Sequence, residues 1–331
     1  MATRAERLMQ GGRSGSASSA WSWPWSWPWS WSWNSVRPGR SFASLDYGLP
    51  LELVALDQVE LAVHSCGRGD PPIVLLHGLG SDMRVWSRNL AALSERARVL
   101  AVDLPGFGKS SKPDVSYSLP WMAARVVELL DRCGLDRVVL CGHSMGGQIA
   151  MELALSQPER IAALMLAAPA GLERFSEAEG RWIRAAVDDD YTARASAATV
   201  VARYLPTFHR MPTAAWPLLR DRLAIIGGPD VRAYARAVTR SVAAMLESPV
   251  IDRLGALRMP VLVSFGSEDA LVPNRMLHGR DTATLARCGV QRMPNATLAM
   301  VRGAGHMVQL ERPDEWNAAA LTFLARHVPR S

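Results

Sequence analysis

The stretch Arg137-Val-Val-Leu-Cys-Gly-His-Ser-Met-Gly-Gly147 declares the fold of this chain. Residues 138–141 form a short apolar run of the kind expected for a buried strand. Residues 148–157 place Ile149, Met151, Leu153 and Leu155 in a helical pattern that Pro158 ends. Gly142-His-Ser-Met-Gly146 is therefore a turn between strand and helix. In that setting the spelling has a mechanical reason. The serine takes a strained backbone position, and the residues two places either side must lack side chains so that strand and helix can approach. The strain lifts the Ser144 hydroxyl above the end of the sheet, where a substrate can meet it.

Working outward, strands and helices alternate from residue 46 onward. Residues 49–56 and 59–66 read as an opening pair of strands, and Ile73-Val-Leu-Leu76 as a strand covered on both faces. A helix at 82–95, a strand at 98–102, a helix at 119–133, the strand and helix of the elbow, and a strand at 161–167 follow. Repeated βα units imply an α/β fold, a mostly parallel sheet with helices on both faces. Residues 46–171 make the first part of this core and 249–331 the second, with strands at 261–265 and 298–301 and a closing helix at 313–327. Between the two parts, residues 172–248 carry helical patterns and no convincing strand. A parallel crossover needs only a dozen or so residues, so this stretch is expected to be an inserted helical cap roofing Ser144.

Composition narrows the function classes. The chain has 331 residues and a formal charge of +6, but residues 1–45 hold five Arg against Glu6, a net of +4, which leaves +2 for the other 286. A basic face for nucleic acid is not indicated. The four cysteines, at 66, 133, 141 and 288, have no metal spacing, which suggests free thiols in a reducing compartment and a cytoplasmic protein. No metal or cofactor motif is present. Residues 21–33, Trp-Ser-Trp-Pro-Trp-Ser-Trp-Pro-Trp-Ser-Trp-Ser-Trp, place an indole at every second position, but Pro24 and Pro28 cannot join a sheet ladder. Residues 1–45 are expected to lie outside the fold as a disordered low-complexity extension. The alternatives are weak membrane-surface contact through the indoles and an Arg- and Ser-rich mitochondrial presequence.

Three motifs fall at strand C-terminal ends, the edge where open α/β sheets place their sites. Ser144 is the first. Phe265-Gly-Ser-Glu-Asp-Ala-Leu-Val-Pro273 offers an acid, Glu268 or Asp269, and Gly303-Ala-Gly-His306 offers an imidazole. A serine hydroxyl is a poor nucleophile at neutral pH, so a base must take its proton as it attacks, and His306 is the candidate. An acid then fixes the imidazole tautomer. The oxyanion of a tetrahedral intermediate needs donors. The Met145 amide, at a helix start, is one, and the Leu79 amide in His77-Gly-Leu-Gly80 is the other, with Gly78 and Gly80 permitting close approach.

Together with Asp103-Leu-Pro-Gly-Phe-Gly-Lys-Ser110, these motifs resemble the α/β-hydrolase superfamily over residues 46–328. The resemblance implies Asp269 in preference to Glu268 as the acid, an architectural role for the Asp103 turn, and a cap at 172–248 lining the pocket. Pocket candidates are His77, Gly78, Gly80, His143, Trp182 and Trp216. A serine at the elbow argues against the dehalogenase and epoxide hydrolase branches, which carry aspartate there. The expected activity is hydrolysis of carboxylic esters of small to medium apolar acids through an acyl-enzyme, without a cofactor. One alternative is C–C bond hydrolysis of aromatic ring-fission products, although His143 and Leu79 depart from that branch's pattern; another is a non-enzymatic receptor or scaffold.

Overall fold

The computed structural model of the chain describes residues 37–279 and 281–328. Among the described residues eight strands form one sheet: β1 (Glu52–Ala55), β2 (Glu60–Cys66), β3 (Ile73–Leu76), β4 (Val99–Val102), β5 (Val138–His143), β6 (Ile161–Ala167), β7 (Val261–Gly266) and β8 (Ala296–Val301). Their order is β1-β2-β4-β3-β5-β6-β7-β8. The β1–β2 and β2–β4 pairs are antiparallel, and every pair from β4 to β8 is parallel. All residues of β3, β4, β5 and β7 are buried, because a parallel strand carries helices on both faces. Successive side chains alternate between two cores: Val138 and Leu140 face one, Val139 and Cys141 the other.

The helices follow the sequence pattern where local signals are strong. In the first part of the core they are α1 (Leu90–Ser94), α2 (Leu119–Arg132) and α3 (Met145–Ser156). The start of α2 is set by Ser118, whose hydroxyl accepts the Trp121 amide. Residues 82–95 are not one helix but a 3-10 turn, Met83–Trp86, followed by the short α1. The cause is tertiary. Asn89, between them, is fully buried and donates to the Gln309 carbonyl and to Asn317 near the C-terminus. At the first edge, β1 is shorter than 49–56. Pro50 has no N–H for the ladder, and its carbonyl instead meets His64 Nδ1 at 2.8 Å.

Residues 172–248 hold α4 (Glu177–Ala185), α5 (Asp189–Ala193), α6 (Ala197–Tyr204), α7 (Trp216–Ala224) and α8 (Val231–Glu247), and no strand. A reciprocal capping box between Ser176 and Glu179 begins α4. The insertion is fixed to the core by charge as well as apolar contact. Arg84, 5% exposed, spans Asp82 of the core (2.9 Å) and Asp221 of α7 (2.6 Å). Removing one partner from a buried pair of this kind costs about 3–5 kcal/mol, since the other charge is left uncompensated. After β7 come α9 (Arg275–His278) and α10 (Thr282–Val290), and after β8 come α11 (Val308–Glu311) and α12 (Pro313–His327).

The expected boundary at residue 45 needs correction. The Trp-rich run 21–33 lies outside the described residues, but residues 39–45 pack on the cap. Gly39 and Arg40 donate to the Ile226 and Ala224 carbonyls at 2.8 and 2.9 Å, and the Phe42 amide donates to Asp230 at 2.9 Å. Phe42 and Leu45 are buried. Sequence composition hid this segment because its apolar residues are sparse and their partners lie some 180 positions away. Deleting residues 1–36 leaves all these contacts in place, whereas deleting 1–45 removes them. The longer deletion is expected to cost about 3 kcal/mol or more, a fall of roughly 5–10 °C in Tm. Equal melting of the two truncated chains in calorimetry would refute that contribution. Among the described residues no helix is long and apolar enough to cross a membrane.

Candidate active site

The sheet order brings the site loops together. β3 pairs with β5 so that Leu76 stands beside Gly142, which sets the turn after β3 against the serine elbow. β7 pairs with β8, with Gly266 beside Val301, so the acid and histidine loops leave the sheet as neighbours.

Ser144 links β5 to α3 at φ 53°, ψ −118°, a conformation that a residue with a side chain rarely adopts. A Cβ on Gly142 would lie 2.3 Å from the Gly146 carbonyl oxygen, and one on Gly146 would lie 2.5 Å from the His77 carbonyl oxygen. Both glycines are therefore steric requirements of the elbow. The Met145 amide opens α3 and has no intrahelical partner, so it is free to meet an anion at the helix's positive end. Gly78 and Gly80 admit the opposite wall: a Cβ on Gly78 would lie 2.8 Å from His143 Nδ1 and 3.0 Å from Ser144 Cβ.

Asp269 is fully buried. Its Oδ1 accepts the Leu271 and Val272 amides at 2.8 and 3.0 Å, and its Oδ2 lies 2.9 Å from His306 Nδ1. Glu268, by contrast, is exposed and engages the neighbouring Ser267 hydroxyl. With Nδ1 committed to Asp269, Nε2 of His306 is the nitrogen left to exchange a proton. The histidine loop is held from several sides. Glu311 accepts the Gly305 and His209 amides at 2.9 and 3.1 Å, the Met307 amide donates to the Thr207 carbonyl at 3.1 Å, and His143 Nε2 meets the His306 carbonyl at 3.1 Å.

Ser144 and His306 line one cavity of about 660 Å³ between core and cap, together with Gly78, Leu79, Gly80 and His143. The cap contributes Ile183, Val187, Val238, Val242 and Met245, an apolar wall. Three expected pocket residues are elsewhere. His77 is buried behind the turn. Its Nδ1 bonds the Gly78 carbonyl at 2.8 Å and its Nε2 accepts the Leu104 amide at 2.9 Å, an arrangement that needs a neutral ring. Burial pushes its pKa down to about 4 and keeps it so. Trp182 is 47% exposed, because α4 turns Ile183 inward and a residue one position away points about 100° around the helix. Trp216, at the start of α7, packs against the core that contains Val139 and Cys141.

Sequence patterns missed Arg222 and Tyr234, which reach the cavity from α7 and α8. Neither lies in a motif. The one available signal, an arginine amid a cap helix, is shared with many surface positions of this chain. Among the described residues no cluster of side chains could hold a metal ion.

Comparison with known proteins agrees with this architecture. Residues 73–319 match the alpha/beta hydrolase family. A dihydrolipoyllysine-residue acetyltransferase component of the acetoin cleaving system from Pseudomonas putida is 32% identical over 79% of this chain, which spans 65% of that protein's length. The 2-hydroxy-6-oxononadienedioate/2-hydroxy-6-oxononatrienedioate hydrolase of Burkholderia vietnamiensis is 32% identical over 82% of this chain and 94% of its own. Among solved structures, a thermophilic esterase from Thermogutta terrifontis superposes with a TM-score of 0.66 at 26% identity, covering 82% of this chain and 95% of that one. The chain belongs to the alpha/beta hydrolase family.

Proposed function

We propose that the chain is a serine hydrolase that cleaves carboxylic esters of small to medium apolar acids through an acyl-enzyme. The observation that carries this reading is the buried Asp269–His306 pair opening, with the strained Ser144, onto one apolar-walled cavity. In the acylation step the Ser144 oxygen attacks the ester carbonyl carbon while His306 Nε2 takes its proton. The carbonyl π electrons move onto oxygen, where the Leu79 and Met145 amides stabilise the charge. Collapse expels the alcohol, which receives the proton from His306, and leaves the acyl group on Ser144. Water repeats the sequence and releases the acid. No step draws on a cofactor.

A fluorophosphonate probe tests the reading directly, since it phosphonylates only a serine activated in this way. Stoichiometric labelling at the peptide containing Ser144, together with turnover of p-nitrophenyl esters that declines from short to long chains, is expected. A chain that resists the probe would be a hydrolase-fold scaffold without this chemistry.

One observation favours a second reading, C–C bond hydrolysis with the same three residues. Arg222 lines the cavity and no carboxylate of the described residues pairs with it, which suits a substrate bearing a carboxylate. The Burkholderia relative is named for hydrolysis of such a diacid. Offering a dienoic ring-fission product beside an ester separates the two, and faster turnover of the dienoate would establish the second.

A further inference from the structure

Glu173 lies in the link between β6 and α4, and the three-residue machinery gives it no role. Its side chain is 9% exposed and lines the cavity that holds Ser144. One carboxylate oxygen is occupied: Oε1 accepts the Asn274 amide at 2.8 Å and His278 Nδ1 at 2.6 Å. Oε2 accepts no hydrogen bond from the described residues. The neighbouring Arg174 does not serve it either, since it turns away to pair with Asp252. His278 is fixed where it stands, stacked on Phe175 with ring centroids 4.9 Å apart and with Nε2 3.8 Å from Glu179 Oε1. Burial pushes the Glu173 pKa up, while the bonds from Asn274 and His278 pull it back. A buried carboxylate served at one oxygen gains from any cationic donor brought to the other.

The topology says which part of an ester meets Oε2. The sheet order β3-β5-β6-β7-β8 sets Ser144 between the turn after β3 and the loops after β7 and β8. During acylation the carbonyl oxygen faces the Leu79 and Met145 amides, on the β3 and β5 side. The alkoxy oxygen must face His306 Nε2, which protonates it, so the alcohol extends toward the loops after β7 and β8. Glu173 belongs to that side. Asn274, its anchor, is in the loop that carries Asp269, and Leu271, Val272 and Asn274 line the cavity with it. Arg222 stands on the opposite side, where it donates to the Gly80 carbonyl in the turn after β3.

We propose that Glu173 is a specificity residue for the leaving group, and that the cavity takes esters whose alcohol carries a protonated amine, which donates to Glu173 Oε2. The cavity then reads the two halves of its substrate by different means, the acid through the apolar wall and the alcohol through a buried charge. This rests on the ester-hydrolase reading.

Two butyrate esters of the same shape test it. 2-(Dimethylamino)ethyl butyrate is protonated at neutral pH and donates one hydrogen bond, and 3-methylbutyl butyrate has C–H in place of that N–H. With each corrected for its hydroxide-catalysed rate, the wild type is expected to favour the ammonium ester in kcat/KM by about tenfold or more, as a hydrogen bond between charged groups would give. Glu173→Gln keeps an oxygen for Asn274 and His278 and sets an amide NH2 where Oε2 stood, so the preference should vanish. A ratio taken within one preparation does not depend on how much of the variant folds, and loss of a mere strut between cap and core would slow both esters alike. A wild type without the preference, or a variant that retains it, would overturn the recognition alone, provided that the fluorophosphonate labels Ser144. A wild-type chain inert to the probe and to both esters would overturn the ester reading and the recognition with it.

Discussion

Ser144→Ala is expected to reduce ester turnover by at least about 10⁴-fold and to abolish fluorophosphonate labelling, while the protein still folds. The substitution deletes one oxygen and leaves the backbone of the elbow unchanged. Alanine meets the same steric demand at φ 53° that serine does, and the Ser144 amide and carbonyl bonds to Ala167, Gly147 and Gln148 are main-chain bonds that survive. A loss of 10⁴ corresponds to about 5.5 kcal/mol of transition-state stabilisation. What persists should be the small enhancement from the oxyanion donors and from binding alone. Steady-state assays on the purified variant, with its melting curve beside them, provide the measurement. Turnover within tenfold of wild type would remove Ser144 as nucleophile, and with it the acyl-enzyme.

Asp269→Asn should be nearly as damaging, for a reason visible in its hydrogen bonds. Oδ1 of residue 269 accepts two amides, those of Leu271 and Val272, and an asparagine oxygen can continue to do so. The amide nitrogen then takes the place of Oδ2, facing His306 Nδ1, with a proton to donate. Nδ1 must accept it, so the neutral ring carries its own proton on Nε2. That is the nitrogen that has to receive the serine proton, and the base is held in the wrong tautomer. A fall of about 10³–10⁴ in kcat is expected, with folding and KM little changed. The same variant tests the choice between the two adjacent acids: Glu268→Gln, on the exposed side, should leave kcat unaltered. A reversed outcome would reassign the acid.

Much of the site was legible because each motif is a local solution to a local problem. Gly142 and Gly146 are required by contacts within a few residues of the elbow or across one strand pair, so the need for them is written beside Ser144. His306 and Asp269 stand at strand ends, which an apolar run followed by small residues marks plainly. The Glu268–Asp269 alternative was not legible from neighbouring residues. Both are carboxylates one position apart, and only the turn that carries the Leu271 and Val272 amides back onto Asp269 orients it toward His306.

Cap and N-terminal segment show the limit from the other side. An amphipathic pattern tells that α4 has an apolar face, yet Trp182 and Ile183 differ by one position, and docking of the helix put Ile183 in the cavity and Trp182 toward solvent. Tyr234 and Arg222 have no motif because their common partner, the Gly80 carbonyl, is a backbone atom more than 140 residues earlier. Phe42 found its place through Asp230 and Tyr234 in the same way.

Read in one dimension, the chain already specified a parallel α/β sheet, a strained serine turn and the strand ends from which an acid and an imidazole depart, because periodicity and tight-turn sterics act over a few residues. Folding in three dimensions chose which carboxylate meets the imidazole, which cap side chains enclose the substrate space and how residues 39–45 brace the cap. Those choices depend on the relative placement of segments far apart in sequence, where a rotation of one residue exchanges a buried side chain for an exposed one.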